Sequence, residues 1–428
     1  MQIFQKVNLK SDFFKSVLVL ISGTVMAQAI GYLISPFLTR IYTTEEMGEL
    51  GMYMRVVGFV AALATARFEL ALPLPKNENH SFLLYQLSVR IAKIVVLALA
   101  VLLAAFYFVK PLGLNDLVFG VMTIVSTIFM VYINLGTNWA IRKSQFKQIS
   151  QQRIVNSLTS NGLKWVFGIF SMGSFGLMLA SLIGFVLSSF GFVREYFSLR
   201  TSLQENYSVK KTKVLALEYK QFPLVNLPHV LVDLGRDLLI AALIVLFFGK
   251  DLFGLYNHSY MILRLPMIIV GASIGQVFFN KCSELVQNGN STYNLMKRTL
   301  LILFGLSIVP FSIIFFFGEP LFSFVFSEAW AKSGYYSEIM TIWLMMNFMI
   351  SPLSSLPLVL KRQKEFFFIG TFASITQVFC FFIFPFLWGD SEAVFESMLW
   401  TLSISQAVIL FCVIFITLYY SKKGVKTT

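Results

Sequence analysis

Cysteine, histidine and charged side chains are all scarce in this chain of 428 residues. The three cysteines, Cys282, Cys380 and Cys412, lie far apart, so the sequence contains neither a disulfide framework nor the close spacing of a zinc site. Charged residues make up 13% of the chain, whereas soluble globular proteins carry roughly 25%. This deficit excludes a surface that faces mainly water. No Walker A, Ser-His-Asp or metal-ligand pattern is present, so the sequence predicts no metal centre, no organic cofactor and no enzyme chemistry.

Apolar residues, by contrast, make up 57% of the chain, and its mean hydropathy is +0.75. A stretch of about 20 apolar residues spans a bilayer as a helix, and such stretches recur along the chain. They do not alternate as barrel strands do, so they must be helices. We predict an all-α integral membrane protein with about twelve transmembrane helices. The predicted spans cover residues 17–38, 48–72, 82–109, 117–140, 153–172, 174–196, 222–248, 252–279, 299–317, 336–360, 366–388 and 394–418.

The 34 lysines and arginines are concentrated in alternate loops between these spans. Cytoplasmic loops of membrane proteins are enriched in these residues, so the pattern predicts that both termini are cytoplasmic. The net charge of +13 is then an orientation signal and not the mark of a nucleic-acid partner. A small-residue motif at 27–29 lies inside an apolar run, which favours an uncleaved first helix over a signal peptide.

A weak internal repeat divides the chain. The sequence MGELGMY at 47–53 follows the first predicted span, and FGLYNHSY at 253–260 occupies the same place after the seventh. The predicted domains are a six-helix half at 1–197, a basic cytoplasmic linker at 198–221 and a second six-helix half at 222–428. Two halves with an even number of spans are parallel repeats, related by an axis along the membrane normal.

Several cations fall inside predicted spans, where charge is costly. Lys164, Arg236 and Arg264 lie near the middle of the membrane and would each cost at least ~2.5–3.5 kcal/mol if they faced lipid. Polar residues at helical spacing accompany them. We therefore predict a central cationic cavity between the halves, lined by these residues. Such a cavity should bind an anion, and arginine suits phosphate or pyrophosphate geometry.

Other interpretations of these charges stay open. Asp233 and Asp237 lie within one turn of Arg236 and could neutralise it with no ligand involved. On the same face, His229 is either a proton relay or a packing histidine.

Two further cations lie nearer the ends of their spans. Arg67 lies near the cytoplasmic end of its span close to Glu69, which favours a structural ion pair at the membrane boundary. Arg55 lies near the outer end of its span and could reach the interface.

The first 80 residues resemble a known family of transporters. The matching stretches are FKSVL at 14–18, ISGTVMAQAI at 21–30, ISP at 34–36, LTRIYT at 38–43 and ATARFELALPLPK at 64–76. They are similar to the O-antigen flippase branch of the polysaccharide transporter family. That family belongs to the multidrug, oligosaccharidyl-lipid and polysaccharide exporter superfamily.

This resemblance implies translocation of an undecaprenyl-pyrophosphate-linked oligosaccharide from the cytoplasmic to the periplasmic leaflet of the bacterial inner membrane. It implies that helices one, two, seven and eight line a cationic cavity, which would include Arg55, Arg236 and Arg264. It also implies alternating access driven by a proton or sodium gradient, with His229, Asp233 and Asp237 as candidate coupling groups. A polysaccharide polymerase and chain-length machinery are candidate partners.

Two rival functions remain at this point. A multidrug or metabolite antiporter of the same superfamily would share the fold, but a pocket for cationic drugs calls for an excess of acidic residues. A membrane polysaccharide polymerase is the enzymatic alternative. Such an enzyme would be expected to carry a large periplasmic loop, and the predicted outer loops are short.

Overall fold

The computed structural model describes residues 12–109, 113–203, 208–267 and 271–423. Within these ranges every regular element is helical. The first seven helices are α1 Asp12–Ile41, α2 Thr44–Thr65, α3 Glu78–Val109, α4 Leu114–Arg142, α5 Phe146–Ile169, α6 Gly173–Leu203 and α7 Val209–Glu218. The remaining helices are α8 Leu227–Leu263, α9 Ala272–Gln287, α10 Tyr293–Phe326, α11 Ala331–Ile350, α12 Leu356–Val359, α13 Gln363–Trp388 and α14 Glu392–Lys423.

Ten helical stretches of the described residues are long and apolar enough to cross a membrane. Two features account for the difference from the twelve predicted spans. α8 joins the seventh predicted span to the start of the eighth across Gly249, whose φ of 88° and ψ of 169° are not helical. α5 coincides with the fifth predicted span but is too polar to count as a span by hydropathy. The prediction of an all-helical, multi-pass membrane protein is confirmed.

One predicted boundary is wrong for a local reason. The second span was predicted to reach residue 72, but α2 ends at Thr65. Ala66 and Arg67 adopt left-handed backbone conformations with φ of 48° and 61°, which no helix can continue through. In the predicted eighth span, 252–279, the helix is interrupted by a turn at Arg264; residues 265–267 are again helical, and 268–270 lie outside the described residues.

Close packing divides the described residues into two compact units. The first unit runs to Tyr42 and then takes Glu49–Leu238. The second unit takes Thr43–Gly48 and continues from Leu239. The predicted linker and the first part of α8 therefore pack with the first unit. The assignment of 1–197 and 222–428 as six-helix repeats stays a prediction.

Each unit has its own core. In the first, an aromatic cluster joins α3, α4 and α6 through Phe82, Tyr85, Trp139 and Tyr196, and Leu215 of α7 packs against it. In the second unit, the Gln377 side chain of α13 donates a hydrogen bond of 3.0 Å to the Gln406 side chain of α14. Tyr336 of α11 likewise donates to Glu392 of α14 at 3.0 Å.

Candidate functional site

Arg236 lies in α8 beside two aspartates of its own helix. Its Nη2 and Nε atoms donate to Asp237 Oδ1 at 2.9 and 3.1 Å, and Nη1 lies 3.9 Å from Asp233 Oδ1. His229 is one turn earlier, with Nδ1 3.7 Å from Asp233 Oδ2. One guanidinium and two carboxylates leave a net negative charge on this face. The neutralising local pairing that the sequence left open is therefore present.

Arg264 follows the last residue of α8 and has a different environment. Its guanidinium carbon lies 5.0 Å from the centre of the Tyr260 ring, and Nη1 is 3.4 Å from the Tyr260 hydroxyl. Among the described residues, no carboxylate lies within salt-bridge distance of this guanidinium, and its buried Nε–H has no hydrogen-bond acceptor. An unsatisfied buried donor costs about 1–3 kcal/mol, so an anionic ligand that accepts this N–H would gain that amount.

Aromatic rings hold Tyr260 in place beneath Arg264. Tyr256, one turn earlier in α8, stacks on Tyr260 with ring centres 6.0 Å apart and planes 11° apart. Trp343 of α11 covers Tyr260 at 5.9 Å and 33°. Tyr256 and Trp343 are buried. These two rings pack against Tyr260, which in turn makes a cation–π contact with the Arg264 guanidinium.

Lys164 lies in α5 within the first unit. Its backbone carbonyl accepts a hydrogen bond of 2.7 Å from the Tyr42 hydroxyl, which ties α5 to the end of α1. In the part of the chain that the structure describes, no carboxylate forms an ion pair with the Lys164 ammonium. Three turns earlier on the same face, Arg153 donates to the Thr24 hydroxyl of α1. Among the described residues, therefore, no carboxylate neutralises Lys164, whereas Arg153 on the same face is hydrogen-bonded to α1.

Arg55 is partly buried in α2, and its Nη1 atom donates to the Gly51 carbonyl one turn earlier at 3.2 Å. This bond lies within a single helix, so it holds the side chain along α2.

Arg67 and Glu69 form the boundary ion pair that the sequence suggested. Arg67 Nη1 lies 3.1 Å from Glu69 Oε1, and Arg67 Nε donates to Asn226 Oδ1 at 3.2 Å. Glu69 lies in the short 3-10 helix Phe68–Ala71, outside the span that ends at Thr65. Burial raises the pKa of its carboxyl, while Thr65 and the Arg67 charge act in the opposite direction. The pair closes the turn after α2 and ties it to the start of α8.

The predicted site residues are thus distributed over both units. Arg55, Lys164 and Arg236 belong to the first unit and Arg264 to the second, so the shared central cavity stays a prediction. Within the described ranges, no group of three His, Cys, Asp or Glu residues is arranged to hold a metal ion.

Comparison with known sequences decides the family. A family described as polysaccharide biosynthesis protein matches residues 37–334, which is well over half of the chain. The chain belongs to this family. A search of curated proteins found no match.

Solved structures share the fold of this family member. An inward-facing multidrug resistance MATE transporter of the MOP superfamily matches with a TM-score of 0.67 and 13% identity, covering 95% of this chain and 99% of that one. The lipid II flippase MurJ, inward closed, matches with a TM-score of 0.67 and 15% identity, covering 97% and 87%. A MOP superfamily transporter from Pyrococcus furiosus matches with a TM-score of 0.57 and 13% identity, covering 98% of both chains.

At these identities the structural likeness shows the fold alone. The family match confirms that the chain belongs with polysaccharide biosynthesis proteins, as the resemblance implied, and the solved structures show a fold shared with MOP superfamily members.

Sequence reasoning missed part of the arrangement in this family member. The contact of Trp343 with the Tyr260 ring was not predicted. The hydrogen bond from Arg67 to Asn226 was also missed. Each of these contacts joins residues far apart in sequence, and no local spacing predicts such a pair.

Proposed function

We propose that this protein is a flippase for an undecaprenyl-pyrophosphate-linked oligosaccharide, such as an O-antigen repeat unit. It would carry the lipid-linked oligosaccharide from the cytoplasmic to the periplasmic leaflet of the bacterial inner membrane by alternating access. Both termini would lie in the cytoplasm. The protein would change no covalent bond of its substrate, and the polymerase and chain-length machinery would take over the product.

The environment of Arg264 carries this proposal. A guanidinium without a neighbouring carboxylate, with one buried N–H lacking an acceptor, is suited to a dianionic head group. A phosphate oxygen can accept from Nε while a second oxygen accepts from Nη, in the bidentate geometry that arginine favours. Lys164 would add a second positive charge along the route.

The acidic face of α8 suggests the energy source. His229 and Asp233 lie 3.7 Å apart, and more than half of each side chain is exposed, so protein packing buries neither group. We propose that this pair, with Asp237, couples transport to a proton or sodium gradient.

The same acidic face favours a second candidate, an antiporter of cationic compounds within the same superfamily. Its net negative charge is the feature that a cationic drug or metabolite would recognise. For the Pyrococcus furiosus relative, the reverse polarity of its binding pocket was taken to suggest a different function. The polarity of the residues that contact the substrate therefore separates the two candidates.

The decisive experiment deletes the gene and restores it with variants. The deletion strain should accumulate lipid-linked oligosaccharide and lose its surface polymer, and the wild-type gene should reverse both changes. Arg264→Gln should fail to restore export, and Arg264→Lys should restore it only in part, since an ammonium cannot make the bidentate contact. Arg298→Gln is the matched control, because it removes an exposed arginine from the same unit.

Unchanged surface polymer in the deletion strain would overturn the flippase proposal. If sensitivity to cationic compounds rose instead, the antiporter would be favoured. Full export by Arg264→Gln, at wild-type protein levels, would remove Arg264 from the mechanism while leaving the flippase activity itself intact.

A further inference from the structure

The short helix α7 exposes an unusual amount of apolar surface for a loop between spans. Val209, Val214 and Leu217 are 67%, 63% and 59% exposed. The opposite side of the helix is fixed to the protein, since Thr212 and Leu215 are buried. Exposed apolar groups on one side of a ten-residue helix indicate a surface that lipid or another molecule covers.

The anchoring of α7 sets which side faces outward. Leu215 packs into the aromatic cluster of the first unit. Ser208 caps the helix by accepting from the Lys211 N–H at 3.4 Å, and Thr212 donates to the Ser208 carbonyl at 2.9 Å. The helix is therefore held rigidly, with its exposed face turned away from the first unit.

The position of α7 in the chain places it at the membrane surface. A candidate span ends at Ser202, before α7, and the next begins at Phe222, four positions after Glu218. A chain extends at most ~3.6 Å per residue, so the end of α7 is within about 14 Å of that span. The head-group layer on each side of a bilayer is several ångströms thick, and α7 can therefore reach it.

The charge of the exposed face identifies its occupant. Lys210, Lys211 and Lys213 are exposed and alternate with the apolar groups, and Glu218 at the last turn is the one acidic residue of the helix. Lysine stems can lie along an apolar boundary while their ammonium groups reach lipid phosphates. Amphipathic helices that lie on anionic membranes combine apolar groups with lysines in this way.

We propose that α7 lies on the leaflet next to it and binds anionic lipid head groups through these three lysines. Val209, Val214 and Leu217 enter the boundary of the acyl chains. This docking would hold the segment between the candidate spans that end at Ser202 and begin at Phe222 at the membrane surface, independently of the substrate that the protein carries.

The test uses the full-length protein in lipid nanodiscs. The exposed Cys412 is replaced by serine, and Val214→Cys is labelled with an environment-sensitive dye; Cys282 and Cys380 are buried and should not react. In nanodiscs that contain phosphatidylglycerol, we expect blue-shifted emission and weaker quenching by iodide than in phosphatidylcholine alone. Removing the charge of the lysines (K210Q, K211Q and K213Q) should weaken partitioning roughly fivefold for each lysine.

A dye at Ser202→Cys is the control, because this exposed position precedes α7 and should not respond to the lysine changes. Equal emission and quenching in the two nanodiscs would overturn the proposal. Protection of the dye in native membranes but in neither nanodisc would also overturn it, since a protein would then cover this face.

Discussion

Two glycines at corresponding places of the predicted repeat, Gly48 and Gly254, meet within the second unit. A Cβ atom on Gly254 would overlap the Thr44 carbonyl oxygen and lie 2.7 Å from its carbon and 3.2 Å from the Gly48 nitrogen. A Cβ atom on Gly48 would lie 3.1 Å from the Gly254 nitrogen. These are backbone atoms, so only movement of a whole helix segment can relieve the overlap. The Thr44 hydroxyl also donates to Asp251 at this crossing.

We therefore expect Gly254→Ala to destabilise the protein. Carbon atoms in normal contact are ~3.5–4.0 Å apart, so the two backbones would have to separate by about 1 Å. Overpacking of this kind costs about 1–3 kcal/mol. For a unit of this size, a loss of about 2 kcal/mol lowers the Tm by roughly 4–8 °C. Gly48→Ala should act in the same direction.

Gly305 of α10 provides the matched control in the same unit. It is helical, and a Cβ atom there would have nothing within 4 Å. Alanine is favoured over glycine in a helix by about 0.5–1 kcal/mol, so Gly305→Ala should leave the Tm unchanged or raise it. The assay is thermal unfolding of the purified full-length protein in detergent, followed by size-exclusion chromatography with fluorescence detection. A Gly254→Ala variant that unfolds at or above the wild-type temperature would refute the close backbone approach.

Two other contacts give predictions of known sign. Arg67→Gln should cost about 3 kcal/mol, because it leaves the buried Glu69 without its cation, and Arg67→Gln with Glu69→Gln should recover most of the loss. Burial raises the pKa of Glu69, so its carboxyl takes up a proton as the pH falls. The Arg67→Gln variant should then regain stability, because the buried charge is removed. A Tm deficit of this variant that does not shrink on acidification would contradict the prediction. Tyr260→Leu loses a cation–π contact of about 0.5–2 kcal/mol with Arg264, whereas Tyr260→Phe keeps the ring. The phenylalanine variant should therefore lose less affinity for the pyrophosphate lipid than the leucine variant. Equal affinities of the two variants in a binding titration would contradict the positioning role of the ring.

Much of the fold could be predicted from the sequence because the lipid environment imposes it. Long apolar stretches must become helices, and every predicted span falls on helical segments. Hydropathy does not detect backbone conformation, however. The left-handed turn at Ala66 and Arg67 ends α2 inside an apolar run, although the composition there continues to predict a helix.

The candidate site, like the fold, could be predicted only where the contacts are local in sequence. Local spacing predicted the neutralisation of Arg236, because Asp233 and Asp237 lie within one helical turn of it. The surroundings of Arg264 depend on Trp343, which comes from a different helix. A contact of that kind is set by how helices pack, and a single sequence carries no record of it.

The most polar of the predicted spans, α5, shows why a stripe of polar residues is weak evidence for a cavity. The hydroxyls of Ser150 and Ser157 donate to backbone carbonyls of α1 at 2.7 and 2.5 Å, and Asn156 donates to Ser188 of α6 at 3.1 Å. Neighbouring helices thus satisfy these groups without any water, as buried polar groups in a membrane require. Only a group that this packing leaves unsatisfied points to a ligand. That criterion separates Arg264, whose buried Nε has no acceptor among the described residues, from Arg236, which is paired with Asp237.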